Sequence, residues 1–206
     1  MYTPEHFAVT DEAEIKALLA ASRLGVLVTH GPKGLFATPM PFVYDAERHV
    51  MAGHIAAANP HRTWDGGGEA LVIFQGVEAY VSPSLYPSKF VHGKAVPTWN
   101  YEMVQVYGGL TWRDDREAKL ANVTALTERF EAERAAPWSV DDAPEGYVEA
   151  LLRGIVAVDL SINRIEAKRK LSQNRSETDR QGVMLGLSAS ERRSDKALAE
   201  IMKTLE

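Results

Sequence analysis

Apolar residues recur along this chain with two different periods, and the alternation between them predicts its elements. Asp11 and Glu14 stand at capping-box spacing, and Ile15, Leu18 and Leu19 follow as one apolar stripe, which predicts a first helix after Thr10. Leu24 to Thr29 (LGVLVT) reads as a strand, His30-Gly31-Pro32-Lys33-Gly34 as a turn, and Leu35 to Tyr44 (LFATPMPFVY) as a second strand. Pro39 and Pro41 cannot donate to a ladder, so this second strand is expected at an edge, or with its backbone facing something other than another strand. Val50 to Gly53 is short and apolar and leads into GHIAAANPHRTW, where Asn59-Pro60 has the form of an N-cap followed by proline at the first helical position. After Asp65-Gly66-Gly67-Gly68, Ala70 to Gln75 (ALVIFQ) is apolar enough for a central strand. Glu78 to Ser82 and Thr98 to Tyr107 continue the β pattern on either side of a Pro/Ser-rich loop.

The period then lengthens. Asp114 to Arg134 predicts a long helix, with Leu120, Val123, Leu126 and Phe130 at roughly helical spacing. Pro144 to Leu152 predicts a shorter one ending at Gly154, and Ile155 to Ile162 (IVAVDLSI) a last strong strand. A capping box from Ser188 to Glu191 opens a tail helix with Leu198, Ile201, Met202 and Leu205 on one face. Six or seven strands with helices near both ends, and no regular βαβ alternation, imply an α+β fold around a barrel-like β core, read as one domain over residues 1–206.

Composition changes this picture little. The 206 residues are 45% hydrophobic and 25% charged, which excludes a disordered or collagen-like chain. With no Cys there is no disulfide, thiolate zinc site or cysteine nucleophile. A net charge of -5 argues against a dedicated nucleic-acid coat while leaving room for a local basic patch. No apolar run approaches the roughly 18 residues of a membrane helix. The start MYTPEHFAVTDEAE lacks a basic region and an apolar stretch, so the expectation is a cytoplasmic protein with no membrane partner. No phosphate-loop, dinucleotide, zincin or nucleophile-elbow motif occurs.

Four segments carry candidate chemistry. In Gly53-His54-Ile55-Ala56-Ala57-Ala58-Asn59-Pro60-His61, small residues let a ligand approach the backbone, and a helix starting at Asn59-Pro60 would offer free N–H groups to a phosphate. The same residues also read as a plain cap with packing alanines, and His54 with His61 is a weak metal pair, so no metal site is expected. Ala37-Thr38-Pro39-Met40-Pro41 offers carbonyls and few N–H groups to a planar heterocycle, with Met40 as a soft contact. Tyr80 to Tyr86 and Val96 to Tyr101 interleave aromatics with Ser, Thr and Asn, as in a pocket that stacks a ring, or as in an ordinary core. Lys168-Arg169-Lys170-Leu171-Ser172-Gln173-Asn174-Arg175 holds four basic residues and no acid, fit for a phosphate, a carboxylate or a nucleic-acid backbone, with Arg175 able to bind bidentately.

MYTPEHF, GHIAAANPH, VIFQGVEAYVSPSLY, VPTWNY and KRKLSQNR, taken together and in this order, resemble the PaiB-type negative transcriptional regulators from Met1 to about the tail helix. That family is similar in fold to the FMN-binding split β-barrels, so the resemblance implies about six antiparallel strands, a homodimer and an FMN at each dimer interface. It places the flavin phosphate at His54, Ala56 and Asn59 and the ring along Thr38, Pro39, Met40 and Pro41. Trp99, Asn100, Gln173, Asn174 and Arg175 would come from the second subunit. Val77, Leu85 and Ala167 depart from the family pattern, and Leu85 removes a stacking surface. The resemblance implies negative regulation of transcription, with DNA contact through Lys168 to Arg175 or action through the cofactor or a partner. The alternatives on the same fold are a flavin-dependent oxidoreductase, with His54, Tyr86 or Tyr101 assisting proton transfer, and a haem-handling protein using His54, His61 or His92.

Overall fold

The computed structural model describes residues 1–144 and 146–204. Seven strands share one sheet: β1 (Ala8–Val9), β2 (Leu24–Gly31), β3 (Gly34–Asp45), β4 (Val50–Ala56), β5 (Ala70–Val81), β6 (Thr98–Arg113) and β7 (Ile155–Lys170). Their order is β1-β7-β4-β3-β2-β5-β6, and β6 also pairs with β7, so the order returns to a strand already in it. The helices are α1 (Glu12–Ala21), α2 (His61–Trp64), α3 (Lys89–His92), α4 (Arg116–Glu131), α5 (Tyr147–Leu152), α6 (Glu177–Ser188) and α7 (Arg193–Lys203). The architecture is α+β, as the periodicity predicts.

Helix starts follow local chemistry. Glu14 N–H donates to Asp11 Oδ1 at 2.8 Å at the head of α1, and Ala118 N–H donates to Asp115 Oδ1 at 2.9 Å at the head of α4. At α6 the cap is Ser176, whose Oγ accepts from Asp179 N–H at 3.2 Å. Ser176→Ala is expected to lower stability by about 1 kcal/mol in urea denaturation, the usual worth of a serine cap. An unchanged midpoint would show that the packing of α6 alone holds it.

The chain divides into two compact units. One comprises Met1–Ile15, Gln75–Val104 and the residues from Glu166 onward; the other comprises Lys16–Phe74 and Gln105–Ile165. In the first, Val81, Tyr86, Leu171, Val183, Leu187 and Leu198 are buried in one apolar cluster. In the second, strand alternation buries Leu27, Met40, Phe42 and Met51, and the Phe42 and Phe74 rings meet edge-to-face at 5.6 Å. Here α4 lies on β3 and β4. Its Arg129 reaches past the helix end to donate to the carbonyls of Phe42, Ala20 and Ser22.

Several elements differ from their sequence reading. β3 is not an edge strand: Gly34–Pro41 pair with Gly31–Leu24 of β2, and Phe42–Asp45 pair with Gly53–Val50 of β4. The β4 ladder stops at Phe42, next to Pro41, because neither Pro41 nor Pro39 has an N–H with which to extend it. Ala70 to Gln75 and Glu78 to Val81 form one continuous strand through Gly76, and Ser82 lies just beyond its end. β7 runs to Lys170, so Lys168, Arg169 and Lys170 of the basic run lie on a strand that extends well beyond Ile162. Ser188 closes α6, a helix the periodicity did not announce, and does not open the tail helix; α7 starts at Arg193 with no side-chain cap. Glu145, within the shorter predicted helix, and Leu205, on the predicted tail face, lie outside the described residues.

Candidate functional site

Strand period decides what Thr38 to Pro41 can present. Thr38 and Met40 are buried, at 8% and 1% exposure, whereas Pro39 is exposed and Pro41 half-buried. Their side chains therefore point alternately to the two faces of the strand. Gly53 opposes this strand, and a Cβ there would fall 2.5 Å from Met40 Cε and 2.7 Å from Pro41 O. The glycine is needed for strand packing, which accounts for it without a ligand.

Asn59 and Thr38 do come together, through a histidine. The predicted helix after Asn59-Pro60 is the four-residue α2, and its first N–H, that of His61, is already taken by Asn59 Oδ1 at 2.9 Å. That leaves a poor phosphate cradle. Asn59 Nδ2 donates to Thr38 Oγ1 at 3.3 Å. The His61 ring is fully buried, with Nδ1 2.7 Å from Thr38 Oγ1 and Nε2 2.9 Å from Thr29 Oγ1. Since Thr38 Oγ1 accepts from Asn59, its hydrogen goes to Nδ1, and Nε2–H donates to Thr29. Burial pushes the His61 pKa below the ordinary histidine value, with nearby Asp65 pulling the other way. The ring is held neutral and in one tautomer.

His54 has a different partner. Its Nδ1 lies 2.7 Å from Oδ1 of Asn122 on α4, and Ala56, two residues along β4, is exposed. Of the histidines considered as haem ligands, His61 has both ring nitrogens engaged, His54 shares Nδ1 with Asn122, and His92 Nδ1 accepts from Lys94 N–H at 3.0 Å. Among the described residues no group of three or more His, Asp or Glu side chains is gathered to hold a metal.

The other predicted residues fall in the first unit, on a tightly built turn. Ser172 has φ 66°, a left-handed conformation uncommon for a residue with a side chain. Gln173 secures the turn: its Oε1 accepts from Leu171 N–H and its Nε2 donates to Arg169 O, each at 2.7 Å. Asn100, fully buried, donates through Nδ2 to Ser172 Oγ at 2.9 Å. Gln173 and Asn100 are thus used by the fold. Asn174 is exposed, and the Arg175 guanidinium lies 5.0 Å from the centre of the Tyr86 ring.

Beside this turn the cations are unbalanced. Arg169 pairs with Glu14 and Glu102, but no ion pair among the described residues involves Lys168, Lys170 or Arg175. Lys168 Nζ donates to Tyr2 O at 3.1 Å and sits 5.2 Å from the Tyr101 ring centre; Lys170 Nζ donates to Thr98 Oγ1 and Trp99 O. Burial, and then the charges of Lys168 and Arg175, lower the Lys170 pKa. Trp99 is half exposed and meets Tyr80 edge-to-face at 5.9 Å; with Tyr101, Met103, Gln75 and Glu78 it lines a groove of about 350 Å³. The sequence names Trp99 and Arg175 for the cofactor and offers Lys168 to Arg175 as one run fit for a phosphate, a carboxylate or a nucleic-acid backbone, without telling Arg169 from its two lysine neighbours. Only the strand pairing, which sets the two lysines on one face and Arg169 on the other, could separate them.

The strand order and peripheral helices define a protein of the split-barrel α+β class. The family model described as "Putative FMN-binding domain" matches residues 1–164, and the chain belongs to that family, which supports FMN as cofactor. It is 34% identical over 206 residues to "Protease synthase and sporulation protein PAI 2" of Bacillus subtilis, covering 98% of this chain and 97% of that one, so it is of PaiB type. An uncharacterized protein of Emericella nidulans is 30% identical over 239 residues, with 95% of each chain covered. Among solved structures, a conserved hypothetical protein, Rv2991, of Mycobacterium tuberculosis superposes with a TM-score of 0.60 at 16% identity, covering 86% of this chain and 95% of that one. The FAD and heme binding protein of Mycobacterium smegmatis does so with 0.59 at 18% identity, covering 79% and 73%. These two likenesses concern the fold.

Proposed function

We propose that this chain binds FMN as a homodimer and acts, in that form, as a negative regulator of transcription. The observation that carries the flavin reading is the cation set Lys168, Lys170 and Arg175, in no ion pair among the described residues and next to the exposed Trp99 and half-buried Tyr101. Converging positive charge with aromatic surface suits a phosphate-bearing planar cofactor. It also fits the residues better than a phosphate at His54 to Asn59, a stretch with no lysine or arginine. Thr38, Pro39, Met40, Pro41, His54, Ala56 and Asn59 belong to the second unit, and the homodimer is the arrangement by which another copy would supply Trp99, Asn100, Gln173, Asn174 and Arg175. FMN would bring redox chemistry; the residues of this chain bind and orient it.

Regulation through the DNA backbone finds less support in the basic segment. A DNA backbone needs several cations displayed on one open face, whereas Lys168 is buried and Arg169 is committed to two carboxylates. Regulation through the flavin-bound state or a protein partner is the better reading.

Titration of flavin-free protein with FMN, followed by flavin fluorescence, tests the proposal. Saturation near one FMN per subunit with a rise in Tm is expected, together with a dimer in sedimentation. Arg175→Ala is expected to weaken FMN by about tenfold, the worth of one charge-assisted phosphate contact. Absence of FMN binding, or tight binding by a monomer, would overturn the reading.

A further inference from the structure

Strand β5 changes phase at Gly76. Ala70, Val72 and Phe74 are buried ahead of it and Ala79 and Val81 after it, so the buried positions pass from even to odd numbers. Gln75 and Glu78, which a regular strand would set on opposite faces, are thereby both exposed, and both line the groove beside Trp99. Such phase changes mark bulges, which re-aim side chains and recur beside functional sites. Glycine is required at this one: a Cβ on Gly76 would fall 2.9 Å from Cβ of Glu102, which is buried and holds Arg169.

The shift assembles a donor beside an acceptor. Gln75 Nε2 donates to a Glu78 carboxylate oxygen, and since a carboxylate only accepts, the amide is fixed with its nitrogen towards Glu78. Glu78 keeps a second oxygen and Gln75 a second N–H, so the pair offers both functions side by side. The other walls are apolar and aromatic: Trp99, Tyr101 and Met103 alternate along β6, while Asn100 and Glu102 between them are buried. Charge fixes which way an anionic ligand lies. Lys168 Nζ sits 5.2 Å from the Tyr101 ring centre and Lys170 Nζ donates to Trp99 O, whereas Glu78 repels an anion.

We propose that Gln75 and Glu78 recognise the imide edge of the flavin, Glu78 accepting from the ring N3–H and Gln75 Nε2 donating to a neighbouring ring carbonyl. The assignment rests on the FMN reading above and gives the ring a polar partner, as the cations give the phosphate one. In oxidised flavin N3–H is the sole ring N–H and stands between two carbonyls, so this edge needs the complement that the pair offers. The opposite, methyl-bearing edge is apolar and offers Glu78 nothing.

FMN and N3-methyl-FMN, each titrated into flavin-free protein and followed by flavin fluorescence, test the assignment. Methylation removes the donor and leaves the phosphate as it is. It is expected to weaken binding to the wild type by at least about tenfold, and binding to Glu78→Ala by less than about threefold. The ratio cancels whatever both flavins gain from the loss of a negative charge. Glu78 is exposed, so the variant is expected to keep the wild-type Tm, and the wild-type comparison needs no variant at all. If FMN binds, equal affinity of the two flavins for the wild type, or an undiminished ratio in Glu78→Ala, overturns the assignment and leaves the phosphate reading intact. If neither flavin binds the wild type, the flavin reading falls and the assignment with it.

Discussion

His61→Ala is expected to destabilise the protein by about 3 kcal/mol, because it removes a fully buried ring and leaves two buried hydroxyls without their partner. Nδ1 and Nε2 bond Thr38 and Thr29, and the ring packs between Phe36 at 4.9 Å and Trp112 at 6.0 Å between centroids. The same geometry sets a pH dependence. Burial lowers the folded-state pKa of His61, so the folded protein binds this proton less readily than the unfolded chain. Stability from this source is full above the ordinary histidine value of about 6.5 and is lost as pH falls below it towards the lowered folded value. Urea denaturation at about pH 7.5 and about pH 5.5 should therefore show a larger loss for the wild type than for His61→Ala. Equal losses in the two proteins would mean that folding does not lower the His61 pKa. Since Asn59 and Thr38 are oriented through the same ring, the variant should also disturb whatever those two side chains bind.

How much of this was legible beforehand depends on which physics each feature uses. Local chemistry was readable: Asp11 with Glu14 marks α1, and the alternation from Leu24 to Thr29 marks β2. Features that depend on distant pairing were not. Pro39 and Pro41 announce a strand with a blocked ladder, but only the register shows that the block falls on the β4 side of a strand paired on both sides. α6 escaped notice because Gly182 and Gly186 dilute its helical pattern. They are there because Leu85 comes so near that a Cβ would fall 2.3 Å from its backbone oxygen at Gly182 and 2.4 Å from its side chain at Gly186. At the candidate site, residue types were readable but orientation was not. Asn59 looked like a helix cap offering N–H groups to a phosphate, yet it spends its carbonyl on His61 N–H and its amide on Thr38. Gln173 and Asn100 looked like ligand contacts, and the structure uses both to hold a left-handed turn.

Reversing one charge beside that turn should have the largest effect on the cofactor. Lys170→Glu is expected to weaken FMN by about 100-fold or more, since it removes one charge-assisted contact and sets a carboxylate against the phosphate. The position is sensitive because its neighbours repel it: Lys168 and Arg175 both disfavour the charged Lys170. A dianion entering such a cluster relieves repulsion as well as gaining attraction. Lys170 also donates to Thr98 Oγ1 and Trp99 O, so the variant alone could act by releasing Trp99. Lys170→Gln separates the two effects, as it keeps a donor and loses the charge. It should fall between the wild type and Lys170→Glu in FMN affinity while retaining the wild-type Tm without flavin. Salt provides the second discriminator: the wild-type affinity should weaken as ionic strength rises, and that dependence should flatten in Lys170→Gln. If both variants bind FMN as the wild type does, the phosphate does not sit at Lys168, Lys170 and Arg175. Its recognition would then have to come from the uncharged stretch around His54 and Asn59, through backbone N–H groups alone.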